Sequence, residues 1–138
     1  MQETHQLQGR TKWVLLLGLI ACSACSKAKT TDELLADLNS THERDRIIAV
    51  RLLPDHKADA EKVVPAMIAC LKDDGGDIRL SAAIGLGNFG AAAKDAIPAL
   101  REAEKDRDVR VIRAAGVALT RIDPTLTPKP QPVKRRRK

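Results

Sequence analysis

Three histidines (His5, His42, His56) and three cysteines (Cys22, Cys25, Cys70) are the residues here best suited to acid–base, redox or metal chemistry. Asp55-His56 sets a carboxylate beside an imidazole, which is half of an acid–base or metal site. A metal site needs three or four converging donors, and the sequence offers neither an H-x-x-x-H pair nor a second cysteine pair. His56 therefore reads as a solvated loop residue. Cys22-Ser23-Ala24-Cys25 has the C-x-x-C spacing of a redox motif, but that chemistry wants a helix start inside a βαβ pattern, and none surrounds it. Cys70, three residues after Met67, reads as a small buried apolar side chain. Asp73 and Asp74 lie in a turn beside Lys72, where helix-end roles account for them. No strand is expected, and so no glycine-rich phosphate loop can follow one. The residue types thus point to no catalytic, metal or cofactor site.

The elements that would position these residues fit one small domain in 138 residues. The formal charge of +6 is local: Lys129, Lys134, Arg135, Arg136, Arg137 and Lys138 account for all of it, and residues 1–123 are balanced. That C-terminal stretch, 123–138, holds four prolines and no apolar periodicity, so it reads as a disordered, partly polyproline tail.

At the other end, a polar stretch ending in Arg10 and Lys12 precedes the apolar run Trp13–Ala21. As a helix the run would span roughly 14 Å, half of a ~30 Å hydrocarbon core. A charged start, a short apolar run and small residues at its end describe a secretory signal over 1–21. Its last residues, Leu19-Ile20-Ala21-Cys22, resemble a bacterial lipobox. The resemblance implies a diacylglyceryl group on the Cys22 thiol, cleavage just before it, and a lipid-anchored protein of the cell envelope. Ser23 in place of Asp implies the outer membrane in a Gram-negative cell. Several acyl chains at ~0.8 kcal/mol per buried methylene would make the anchor durable. Residues 22–30 would be a tether, in which Cys25 has no evident role.

Between tether and tail the chain repeats. A shift of about 33 residues, a period typical of stacked-repeat proteins, superposes three units without gaps. Leu34, Met67 and Leu100 coincide, as do Ala49, Ala82 and Ala115, and then Leu53, Leu86 and Leu119. A small residue and a large one four places on share a helical face, so neighbouring helices can approach at Ala and interlock at Leu. Over roughly Thr31–Ile122, segments such as IRLSAAIGLGNFG (Ile78–Gly90) and AIPALREAEKD (Ala96–Asp106) resemble bacterial HEAT-like repeats. The resemblance implies an all-α fold, a short right-handed α-solenoid of about three two-helix repeats. It also implies a ladder between repeats built from the Asp and Arg that appear here as Asp73 and Arg79. Ser40 stands in the Asp column and Ile112 in the Arg column, which leaves the expected ladder incomplete at both ends.

Local signals place the helices. Thr30-x-x-Glu33 and Ser40-x-x-Glu43 fit capping boxes, Pro54 stops the second helix, and Asp77 and Asp95 are candidate N-caps. Gly85, in the column of Leu52 and Ala118, implies close packing. Solenoids bind along their concave, second-helix surface, where the columns place Arg46, Arg51, Arg110 and Arg113; Arg79 belongs to the ladder instead. The expectation is a lipid-anchored scaffold that binds another protein, without catalysis. The alternative is a polyanion binder using the basic tail, Lys134 to Lys138, on anionic lipid, cell-wall polymer or nucleic acid. Nucleic acid is disfavoured because Phe89 is the only aromatic after the leader. Some proteins with such repeats act on tetrapyrrole-bearing partners, but no nucleophile–base pair stands out here to do so.

Overall fold

A computed structural model describes residues 28–126, and all their regular structure is helical. Six α-helices form three pairs: α1 (Thr31–Asp37) with α2 (Glu43–Leu52), α3 (Ala60–Cys70) with α4 (Gly76–Phe89), and α5 (Ile97–Ala103) with α6 (Val109–Ile122). Short 3-10 segments connect the pairs. The second helices stack side by side in the order α2, α4, α6, and each packs on the first helix of its own pair. This is a short α-solenoid. Leu34, Leu53, Met67, Ile78, Leu86, Leu100 and Leu119 are fully buried between the layers, one set per repeat.

The interlocking implied by the small residues is visible at two glycines of α4. A Cβ on Gly85 would come within 2.2 Å of Met67 Cε and 2.7 Å of Pro54 Cγ, so this glycine lets α4 seat against the first repeat. A Cβ on Gly87 would lie 3.0 Å from Ala118 Cα, so α4 and α6 approach almost backbone to backbone. The ~1 kcal/mol that each glycine costs a helix is offset by that approach.

Several local expectations hold. Thr30 caps α1 in a full capping box, and α2 stops at Leu52, just before Pro54. Others are corrected. Ser40 does not cap α2, whose N-cap is His42; its hydroxyl accepts the His42 amide and donates to Asp45. Asp73 and Asp106 make the same two-residue turn with the amides of Gly75 and Asp108, so Ser40 is the hydroxyl version of a turn each repeat needs. Gly75, not Asp77, is the N-cap of α4, and Asp95 lies inside the 3-10 segment Gly90–Ala96. Of the stretch expected to be a tail, residues 123–126 are described: Thr125 bonds back to Asp123, and Leu126 packs against the core.

Candidate functional site

The second helices present two different polar surfaces. At their N-terminal ends runs a ladder. Arg46 of the first repeat grips Asp73 of the second through Nε (3.0 Å) and Nη2 (3.3 Å). Arg79 grips Asp106 of the third at 2.7 and 3.1 Å. Nη1 of each arginine also donates backward, Arg46 to the Ser40 carbonyl and Arg79 to the carbonyls of Asp73 and Asp74. Each guanidinium therefore spans the turn of its own repeat and the carboxylate of the next. Both junctions carry a complete rung, which corrects the expectation of a broken ladder. Ser40 and Ile112 lie beyond the two rungs, one at each end.

The rungs shift the acids they hold. The hydrogen bond from Arg79 holds the Asp106 carboxyl below its ordinary pKa, against burial and with help from the Asp108 amide. For Asp73, burial pushes upward, but the bonds from Arg46 and the Gly75 amide outweigh it, and the net shift is also downward. Next to the first rung, burial pushes the Cys70 thiol up to about 11, so it stays protonated and a poor nucleophile at neutral pH.

The second surface is a pair of parallel grooves. Leu80, Ser81, Ile84, Gly85 and Asn88 of α4 line the first against α2, where Val50, Arg51, Pro54 and Asp55 face them across about 270 Å³. Arg113, Ala114, Val117, Ala118 and Arg121 of α6, the same columns one repeat on, line the second against Ile84 and Gly87 across about 250 Å³. The groove is thus itself a repeating unit, and Ile84 is the ridge shared by both. Ile84 is 47% exposed and Val117 52%. On α2 the same column holds Arg51, and Ile48 and Leu52 on either side of it are both 42% exposed at the open first edge of the stack.

The four arginines expected to bind thus separate. Arg46 is held in a rung, and a ligand could have it only by breaking that rung. Arg110 pairs with Asp108 at 2.8 Å and with Asp77 of the preceding repeat at 2.9 Å. Arg51 and Arg113 are exposed on the groove walls and form no ion pair among the described residues. Arg121, missed at the sequence level, joins them and donates to Asn88 at 3.0 Å across the second groove. Its column held Asp55 and Asn88, and so drew no attention.

His56 is not simply solvated. Its Nδ1 lies 3.0 Å from Thr31 Oγ1, and the Thr31 hydroxyl donates to Asp59. A hydroxyl has one proton, so Nδ1 must donate to it; a base activating a nucleophile would instead accept. The trio reads as a clamp from the start of α1 to the connector before α3. No cluster of potential metal ligands occurs, and no helix is long and apolar enough to cross a membrane, among the described residues. Cys22, Cys25 and the basic tail from Lys134 to Lys138 lie outside the described residues.

The family model for HEAT repeats matches residues 31–124. The chain belongs to the HEAT-repeat family. Among solved structures, it is similar to a chain in the complex of CpcE and CpcF of phycocyanin lyase from Nostoc sp. PCC7120, with 26% identity and a TM-score of 0.64. The likeness covers 73% of this chain and 40% of that one, so this HEAT-repeat protein spans less than half of its neighbour's length. No curated protein sequence matches the chain.

Proposed function

We propose that this HEAT-repeat protein is a non-catalytic interaction module, held at the bacterial cell envelope by lipid on Cys22, that binds another protein across the grooved α2–α4–α6 face. The observation that carries the binding role is the repeated groove, with exposed apolar ridges at Ile84 and Val117. Scattered exposed apolar residues need no explanation, but rows of them at a fixed repeat spacing mark an interaction surface. Membership of a family of stacked helices, and a neighbour solved as a complex of two chains, support the same role. A lyase reading, raised by the neighbour's part in a phycocyanin lyase, has no activated nucleophile at the Thr31–His56–Asp59 clamp to support it. The envelope address rests on Leu19-Ile20-Ala21-Cys22 behind an apolar run.

Two experiments test the two halves. Intact mass of the membrane-extracted protein should match a chain starting at Cys22 plus acyl groups, and Cys22→Ala should abolish that species. An unmodified full-length chain in the soluble fraction would remove the anchor and bring the basic tail forward as a polyanion binder, recognisable by binding that collapses at moderate salt. For the face, a photo-cross-linking residue at position 84 should give one discrete protein adduct in cells, and the same residue at exposed Ala69 on α3 should not.

A further inference from the structure

Resting on that interaction reading, we infer that the grooved face takes an acidic amphipathic helix, laid across the second helices with one large apolar side chain in each groove. Three features point to this occupant. Ile84 divides two grooves of nearly equal volume, each floored by small or apolar residues, so the face offers two similar apolar seats rather than one cleft. The seats repeat with the helices, and packed helices lie about 8–10 Å apart. Side chains at i and i+7 of a helix share a face and stand about 10.5 Å apart along its axis, which matches that interval. The charged walls set the sign: Arg51, Arg113 and Arg121 border the grooves, against Asp55 alone.

Electrostatic complementarity then favours Glu or Asp flanking the two apolar anchors and rejects Lys or Arg there. The rows differ from the ladder in the property that matters. Arg51 and Arg113 have no carboxylate partner among the described residues, so a ligand can engage them without breaking a rung. A basic helix, by contrast, would bring like charges together over the second groove, where Arg113 and Arg121 face no carboxylate in the lining. The basic tail of this same chain is unsuited for that reason.

The probe is a designed helical peptide with two leucines at i and i+7, glutamates flanking them, and alanine elsewhere, titrated into the full-length protein and followed by fluorescence anisotropy. Saturable binding that weakens with salt is expected. Changing the glutamates to lysine, or one leucine to alanine, should weaken it by about tenfold or more. Ile84→Glu, at an exposed ridge, should do the same while leaving the helical content intact. Equal binding of the lysine peptide, indifference to Ile84→Glu, or no saturable binding would overturn the inference. The underlying reading has its own readout: a cross-link at position 84 in cells alongside failure of the acidic peptide would discard the acidic helix and keep the interaction face. Loss of both would discard both.

Discussion

Arg46 and Arg51 stand little more than one helical turn apart on α2, and that turn separates two surfaces. On one side, Arg46 and Arg79 are locked into carboxylates of the following repeat, and the Arg79–Asp106 pair is nearly dry, with side chains 7% and 10% exposed. On the other side, Arg51 and Arg113 border apolar grooves without a carboxylate of their own among the described residues. The residue type is the same; the difference lies in what the adjacent chain brings. At the ladder it brings Asp73 or Asp106. At the grooves it sets Leu80 and Ile84 against Arg51, and Ile84 and Val117 beside Arg113, and none of these can neutralise a guanidinium. One row of arginines therefore joins repeats, and the other is left for a ligand.

The predictions follow that contrast from large effects to small. Leu86 is fully buried in the core behind both surfaces, and Leu86→Ala should cost about 2–5 kcal/mol by denaturant unfolding. Asp106→Ala leaves a nearly buried guanidinium without its carboxylate and should cost about 2–3 kcal/mol. Asp73→Ala should cost less, about 1–2 kcal/mol, because the Arg46–Asp73 rung is more open at 20% and 17% exposure. Equal losses at the two rungs would show that burial does not grade them.

Acid should weaken the ladder. Asp73 and Asp106 both have lowered pKa values in the folded protein, so the unfolded chain binds protons more readily. The stability they contribute is present above the ordinary carboxylate pKa of about 4 and is lost as pH falls from there through their folded values. Melting temperature followed from pH 6 to pH 3 should drop steeply, and an Asp73→Asn, Asp106→Asn double variant should show a shallower drop from a lower start. Thiol labelling gives a smaller, local reading: Cys70, raised to about 11, should react slowly at pH 8 and rapidly once the protein is unfolded.

Much of this was legible in the chain. The repeat spacing placed the three helix pairs, put Leu86 in the core and identified Gly85 as a packing residue, because these depend on columns and not on partners. The ladder was legible in its residues but not in its connectivity. A column alignment compares Asp73 with Asp106, whereas the rung joins Arg46 to Asp73, 27 residues apart and in different repeats. That is why Arg46 looked available for binding. The caps of α2 and α4 were missed for a local reason: Ser40 and Asp73 spend their side chains on turns just before the helices, leaving His42 and Gly75 at the cap positions. Neither the Thr31–His56–Asp59 clamp nor Arg121 in its groove had a periodic signal, since each arises only when separate elements meet.

The most direct test of the two-row account measures stability and binding on the same samples. Arg51→Gln with Arg113→Gln should melt within about 0.5 kcal/mol of the wild-type protein, as surface changes do, yet lose affinity for the acidic two-leucine peptide by about tenfold or more. Arg46→Gln with Arg79→Gln should show a clear loss of stability. If the groove pair melts as low as the ladder pair, or binds the peptide as well as the wild-type protein, the division between joining and binding arginines is wrong.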